Sequence, residues 1–210
     1  MNENTWFSSN KRGNVVFNFT PVPQIDELGA FAAGYQNAAE TLLQSVMSKA
    51  GYRDCDCYPI FYLYRHALEL YIKAVFYRGA KLLELVTDES LEIDLVTTDH
   101  RLERFLPGIE AIFKDRGWLD GVQGQEYQYM VKVIANVETI DPKSISFRYP
   151  TTRRNVSPFG KHTVINVIEF ARDVGHVLDL LGGALMALNE DWQNAAEVCY
   201  AIQEILSQEG

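Results

Sequence analysis

Residues 58–77 read YPIFYLYRHALELYIKAVFY, and their pattern is the strongest indication of the fold in this sequence. Apolar side chains occupy almost every direction around a helix drawn through it, as is typical of a helix at the centre of a core. The exceptions are Arg65, His66, Glu69 and Lys73, which at about 100° per residue fall within one sector of about 100°. The stretch therefore predicts a central helix whose single polar stripe meets solvent, a partner or a cleft with paired charges.

Hydrophobic periodicity predicts further helices on both sides of this one. The whole set spans about residues 25–50, 59–78, 100–116, 123–137 and 163–207. Pro107 predicts a kink or break, Gly182-Gly183 a kink, and the polar run 189–191 a split of the last helix. No internal repeat or heptad run is recognised. The fold class expected is all-α, an up-and-down bundle of four to six helices.

The segments outside these helices predict the domain organisation. Residues 1–24 have no helical period and are expected to form a short extended N-terminal segment. Residues 144–150 are expected to be extended and to continue into a basic loop over 151–162. A chain of 210 residues fits one domain. We therefore expect 1–24 to be an extension and 25–210 to be a single helical domain.

Composition and charge narrow the class of protein. The net charge is −9, and an acidic chain is repelled by nucleic acid and anionic membranes unless its charge is locally polarised. The chain has neither a signal-peptide pattern nor an apolar run of about 18 residues. Its odd set of cysteines, Cys55, Cys57 and Cys199, favours reduced thiols. We expect a cytoplasmic protein with no membrane partner.

The polar stripe of the central helix has two interpretations. His66 beside a carboxylate and two cations could perform acid–base chemistry on a phosphate ester or hold one in place. Alternatively, Arg65–Glu69 and Glu69–Lys73 form ordinary pairs at i,i+4 spacing on a solvated face. Helix geometry alone favours the second interpretation, but the residues leave both open.

The interval between Asp141 and Glu169 contains no acidic residue. Its cations alternate with aromatic residues, a composition suited to phosphate contact and base stacking. The candidate RNA- or phosphate-binding residues are Arg148, Tyr149, Arg153, Arg154, Lys161 and His162. The alternative is a solvated loop whose arginines pair with acidic helices of the same chain, and the two readings stand about even.

Two weaker signals lie elsewhere in the chain. Arg172 and His176 are one helical turn apart and form a second candidate catalytic pair, although an exposed face with ion pairs explains them better. The run Asp54-Cys55-Asp56-Cys57 is a weak match to metal-ligand spacing, so no metal site is expected. The chain has no phosphate-binding loop, dinucleotide fingerprint or nucleophile elbow. No cofactor is therefore expected.

Three motifs together resemble bacterial proteins of the HEPN-like superfamily. They are YRHALELYIKA at residues 64–74, TDHRL at 98–102 and FRYP at 147–150, and the resemblance covers about residues 25–205. It implies a bundle of four or five helices that commonly dimerises. Many members are metal-independent endoribonucleases of toxin–antitoxin, abortive-infection or CRISPR systems. Others are inactive modules that bind RNA or a protein partner.

The chain departs from the pattern of the ribonuclease members, which have four to six residues between an arginine and a following histidine. Arg172 and His176 have three residues between them, and Arg154 and His162 have seven. The resemblance therefore implies the fold more directly than catalysis. If catalysis occurs, a histidine would transfer a proton at the ribose 2′-OH or the 5′-oxygen, and an arginine would stabilise the phosphate charge.

These observations leave three hypotheses for the function. The first is a homodimeric, metal-independent endoribonuclease in bacterial defence or stress response. The second is an inactive module that binds RNA or a protein partner through the segment from Arg148 to Lys161. The third is an oligomerising or antitoxin-like subunit that masks another protein. We expect a protein that acts on or binds RNA, with enzymatic activity left open.

Overall fold

The computed structural model describes residues 24–87, 90–142, 144–149, 159 and 163–208, except for the side chains of residues 24, 203 and 208. The predicted N-terminal segment and most of the predicted basic loop lie outside these residues. The same is true of four candidate binding residues, Arg153, Arg154, Lys161 and His162. Their predicted roles stay predictions.

Six α-helices account for most of the described residues. They are α1 (Leu28–Met47), α2 (Asp54–Thr87), α3 (Leu95–Thr98), α4 (Leu106–Asp115), α5 (Gly121–Ile140) and α6 (Val167–Gln208). Short 3-10 helices at Gln24–Glu27 and Leu102–Phe105 precede α1 and α4. No strand occurs in the described part of the chain. The predicted all-α class is confirmed.

Helix α2 is the centre of the bundle, as its sequence predicts. It packs mainly against α1 and α6 and also contacts α4. Phe61 contacts Phe170 of α6, and further along α2 Arg78 lies over the Trp192 ring, so α2 and α6 run in the same direction. Apolar residues on nearly all sides of α2 are buried in this core.

Helix α2 is longer than the sequence predicts. It begins at Asp54, so that Pro59 lies inside it, and it continues beyond Gly79 to Thr87. Gly79 does not end the helix. Its missing side chain instead leaves room for Ile112 of α4 to pack directly against the helix backbone. Leu82 and Leu83 are buried in the same core and extend the packing beyond Gly79. Tertiary packing overrides the weak helix signal of this region.

Helix α6 is continuous, and the predicted split at residues 189–191 is wrong. The flanking residues Leu188 and Trp192 pack inward. Between them, Asp191 forms a 3.3 Å ion pair with Arg116. The polar run is therefore the outer face of one helix turn. At Gly182, where a kink was predicted, the Tyr71 hydroxyl oxygen lies 3.5 Å from the position that a Cβ would occupy.

The segment after α5 forms a compact turn, so the predicted extended conformation is wrong for residues 144–149. The Asp141 carboxylate accepts hydrogen bonds from the backbone N–H groups of Ile145 and Ser146, at 2.8 and 2.9 Å. Ser144 has a φ of 54°, in the left-handed region. An aspartate that caps its own following turn competes effectively with an extended backbone.

The predicted helix at 100–116 is present as the 3-10 helix at Leu102–Phe105 followed by α4. Pro107 lies in the first turn of α4, where its missing N–H needs no partner. None of the described helices is long and apolar enough to cross a membrane.

The close approach at Gly79 generates a stability prediction. A Cβ at Gly79 would lie 2.6 Å from two buried Ile112 atoms, so Gly79→Ala should lower the free energy of unfolding by about 1–3 kcal/mol. The control is Gly34→Ala in α1, where no atom lies within 4 Å of the added Cβ. That change should stabilise the protein by about 0.5–1 kcal/mol through helix propensity. Urea denaturation followed by circular dichroism measures both, and equal effects of the two changes would contradict the packing argument.

Candidate functional site

The polar stripe of α2 separates into two groups in the folded chain. Arg65, Glu69 and Lys73 are buried, which is unusual for charged side chains. His66 is half-buried and lies against aromatic rings. The predicted i,i+4 pairs do form, but inside the bundle and not on a solvated face.

The guanidinium of Arg65 is 0% exposed and joins three parts of the chain. Its Nη1 lies 3.2 Å from Glu69 Oε2, and its Nη2 lies 3.4 Å from Glu138 Oε1 of α5. Nη2 also donates to the backbone carbonyl of His100 at 2.9 Å, and Nε donates to that of Asp141 at 3.4 Å. Arg65 therefore anchors the loop before α4 and the start of the basic segment after α5.

The Glu69 carboxylate is the acceptor at the centre of this network. Its Oε1 lies 3.0 Å from Lys73 Nζ and 2.7 Å from His100 Nδ1. Burial alone would raise the pKa of Glu69, but hydrogen bonds from His100 and Lys73 and the charges of Lys73 and Arg65 outweigh it and hold the pKa below its ordinary value. Glu69 is therefore ionised at neutral pH.

His100 is held by this network but remains open to solvent. Its side chain is 65% exposed, although Nδ1 contacts the buried Glu69. Because an ionised carboxylate can only accept, Nδ1 carries a hydrogen, and in the neutral form of the ring Nε2 presents its lone pair. Nε2 has no hydrogen-bond partner among the described residues. An oriented imidazole with a free basic nitrogen is the arrangement of a general base.

His100 was not among the residues selected from the sequence. It lies 31 residues from Glu69 in the chain, and no local spacing connects the two. The sequence feature that could have identified His100 as a site residue is the resemblance to HEPN-like proteins. His100 belongs to the TDHRL motif, and Glu69 and Lys73 belong to YRHALELYIKA. The structure brings these two motifs into contact.

Two further buried carboxylates complete the surroundings of Arg65. Burial raises the pKa of Glu138, although the N–H of Leu102 and the charge of Arg65 act in the opposite direction. Glu138 Oε2 and Asp141 Oδ2 are buried and have no hydrogen-bond partner among the residues that the structure describes. The negative charges of Glu103 and Asp141 act in the same direction as burial on the pKa of Glu138.

His66 lies at the edge of the polar stripe of α2, in an aromatic cluster. Its ring meets the edge of Tyr35 at 4.4 Å and stacks on Tyr62 at 5.6 Å, measured between centroids. Burial lowers the pKa of His66; the positive charges nearby add to this effect and Glu69 opposes it. A neutral imidazole is therefore expected at neutral pH. Arg148 extends the cluster, with its guanidinium carbon 5.7 Å from the Tyr62 centroid.

The described part of the predicted binding segment is exposed at Arg148 and Tyr149. Arg148 Nε donates to the carbonyl of Ser144 at 2.6 Å, and its guanidinium carbon lies 5.8 Å from the Tyr149 centroid. Arg148 has no salt bridge to any described residue. This cation remains available to an anionic ligand.

Arg172 and His176 lie on α6, apart from this site. Arg172 pairs with Glu169 and Asp173 of its own helix, and His176 Nε2 lies 2.7 Å from Glu126 Oε2 of α5. Within the described ranges, neither contacts the polar residues of α2 by a hydrogen bond or ion pair. Both therefore have the surroundings of an exposed face with ion pairs.

Among the residues with described positions, no group of three His, Cys, Asp or Glu side chains could hold a metal ion. In the Asp54–Cys57 run, Cys55 is exposed and Cys57 is buried.

Comparison of the chain with protein-family models, curated proteins and solved structures finds no match. The resemblance to HEPN-like proteins therefore rests on the three quoted motifs alone.

The two buried glutamates predict unequal responses to neutralisation. Glu69→Gln should lower the free energy of unfolding at pH 7 by about 3 kcal/mol, because it leaves the buried charges of Arg65 and Lys73 without the carboxylate charge that they share. Glu138→Gln should change it by less than about 1 kcal/mol, since burial already disfavours the charged form and the amide oxygen can accept from Leu102.

The pH dependence follows from the direction of each pKa shift. Since the pKa of folded Glu69 is lowered, its contribution to stability is present at neutral pH and is lost as the pH falls below about 4. The difference between wild type and Glu69→Gln should therefore shrink in acid. Since the pKa of folded Glu138 is raised, its protonation favours the fold, and that advantage is lost as the pH rises. Urea denaturation at several pH values tests both, and equal losses from the two substitutions would contradict the assignment.

Proposed function

We propose that the chain acts on RNA as a metal-independent endoribonuclease, with His100 as the group that transfers the proton. The observation that carries the proposal is the 2.7 Å contact between solvent-exposed His100 and buried Glu69. The biological setting, bacterial defence or a toxin–antitoxin or stress response, comes from the HEPN-like resemblance alone.

The geometry supports a defined role for each side chain. Nε2 of His100 would remove the proton from a ribose 2′-OH, whose oxygen attacks the adjacent phosphorus and displaces the 5′-oxygen. The imidazolium then returns the proton to that leaving oxygen, which gives a 2′,3′-cyclic phosphate and a 5′-hydroxyl. Glu69 stabilises the imidazolium, as a buried carboxylate does for a histidine base.

The buried members of the predicted catalytic set act as positioning residues in this proposal. Arg65 and Lys73 are shielded from solvent and hold Glu69, which in turn holds His100. Arg65 also binds the carbonyl of Asp141, whose carboxylate folds the turn that carries Arg148. One buried guanidinium therefore orients the histidine and the first exposed cation of the basic segment.

Arg148 and its aromatic neighbours supply the RNA-binding part of the proposal. A guanidinium that stacks on Tyr62 and Tyr149 without a salt bridge to a described residue can contact phosphate while the rings contact bases. In a chain of net charge −9, the interval from 142 to 168 has no acidic residue, so the repulsion of RNA is least there.

The second candidate function is an RNA-binding module without turnover. The observation that favours it is the missing arginine–histidine spacing of the ribonuclease members. The same arginine and aromatic residues would bind RNA, and the buried network would then have a structural role only. An inactive module that binds a protein partner remains open on the same grounds.

Cleavage of a labelled RNA pool with and without EDTA distinguishes the two functions. We expect wild-type cleavage to survive EDTA and to fall by at least about 100-fold in His100→Ala, because general acid–base catalysis contributes about 10²–10⁴ in rate. His176→Ala is the matched control, a histidine that also contacts a glutamate at 2.7 Å but lies on α6. His66→Ala tests the histidine of α2. Full activity in His100→Ala would refute its role, and absence of cleavage in the folded wild type would favour the binding module.

Salt-dependent RNA binding tests the contribution of Arg148. Arg148→Ala should weaken affinity and reduce the slope of log K against log salt by about one, as expected for one lost phosphate contact. Arg172→Ala is the control, since that arginine is already paired with Glu169 and Asp173. The double variant Arg153→Ala/Arg154→Ala extends the test to the rest of the segment. Unchanged binding in both basic-segment variants would exclude this segment as the RNA-binding surface.

A further inference from the structure

One face of α6 carries a regular heptad spacing. Small and apolar residues recur at alternating intervals of four and three along the whole helix. They are Val167, Ala171, Val174, Leu178, Leu181, Leu185, Leu188, Trp192, Ala195, Cys199, Ile202 and Leu206, together called the α6 seam. The spacing escapes notice in the sequence because Gly182-Gly183 and residues 189–191 suggest interruptions. A sustained repeat of this kind is typical of a helix that packs along another helix.

The side chains of the α6 seam are buried inside the bundle and become exposed beyond the end of the bundle. Leu178, Leu181 and Leu188 are fully buried in the core. Trp192 is half-buried and is covered by the guanidinium of Arg78. Near the end of α6, Ile202 is 51% exposed and Leu206 is 65% exposed. The α6 seam therefore continues beyond the region that the described bundle covers.

The charges of this last part of α6 lie away from the seam. Between Trp192 and Leu206 the only charged residues are Glu197 and Glu204. They continue from Glu190 at intervals of seven, which places all three on the helix face opposite the seam. In a chain of net charge −9, this face is neutral and apolar, so a second copy can approach it without a direct like-charge contact.

We propose that the end of α6, residues 195–206, packs against the same segment of a second copy of this chain. A helix with a 3.5-residue repeat is complementary to another helix with the same repeat. The glutamates remain in solvent on the outer faces of the pair. This inference does not depend on the proposed action on RNA.

The direction of the pair follows from the position of the bundle. The α6 seam faces its own bundle as far as Ala195, so parallel copies would place both bundles on the same side of the contact. In an antiparallel pair each bundle lies beyond the end of the other helix, and residue 195 of one copy meets residue 206 of the other. The antiparallel arrangement is therefore the one that avoids a clash.

The length of the contact predicts its strength. Twelve helical residues span about 18 Å, a short contact compared with stable dimer interfaces. We therefore expect a weak, reversible dimer. Because the contact is apolar and the copies carry like net charge, added salt should strengthen it. RNA binding through phosphate contacts has the opposite salt dependence.

Sedimentation velocity of the full chain over a wide concentration range tests the dimer. We expect the wild type to associate reversibly and Ile202→Glu and Leu206→Glu each to raise the dissociation constant by at least about tenfold. Tyr200→Glu is the matched control, because Tyr200 is 72% exposed on the same helix but lies off the seam. A wild type that stays monomeric, or a dimer that Ile202→Glu and Leu206→Glu leave intact, would overturn the proposal. Circular dichroism confirms that each variant is folded.

A charge pair tests the antiparallel direction. The antiparallel pairing that brings residue 195 to residue 206 also brings residue 199 to residue 202. In Cys199→Lys/Ile202→Glu, an antiparallel pair therefore places opposite charges together, so the double variant should dimerise better than Ile202→Glu alone. A parallel pair places like charges together, and the double variant should then dimerise worse. The second result would overturn the antiparallel arrangement.

Discussion

The burial of Arg65 is the constraint on which the rest of the structure depends. A guanidinium removed from water loses several kcal/mol of hydration, and the loss is offset only if its donors are bonded and its charge is paired. Glu69, Glu138 and the carbonyls of His100 and Asp141 meet this requirement. Because these groups come from different parts of the chain, one side chain fixes how α2, α5 and the connecting loops meet.

This constraint has a chemical consequence at the surface. Glu69 is held by Arg65 and Lys73, so it can hold His100 in one orientation while the ring stays in solvent. The same guanidinium binds the start of the turn that presents Arg148. A buried charge network alone indicates only a structural role, and such a network often stabilises the folded state less than apolar side chains of similar volume would. Its connection to an exposed histidine and an exposed arginine makes it a candidate site.

The heptad spacing of α6 runs through the buried core and continues into the part of the helix that is exposed to solvent. Its first turns bury the seam against α1 and α2, and its last turns carry the same repeat into solvent with the charges on the opposite face. The seam packs against the described core as far as Ala195. The apolar residues beyond it add nothing to the described core, and a second copy of the helix is the occupant that their spacing and charge placement favour.

The amino-acid sequence by itself determined the all-α class, the central position of α2 and the pairing of Arg65 with Glu69 and of Glu69 with Lys73, because these properties depend on spacing within one helix. It did not determine that the charged stripe is buried, or that His100, Glu138 and Asp141 surround it. These residues lie 31, 73 and 76 positions from their partners in the network, and no local periodicity relates them. The turn at 144–149 and the unbroken α6 were likewise decided by tertiary structure, because Asp141 and the packing of Leu188 and Trp192 outweigh the local signals. Local spacing encodes which residues share a helix face, whereas the packing of the bundle decides which of those faces are closed to water.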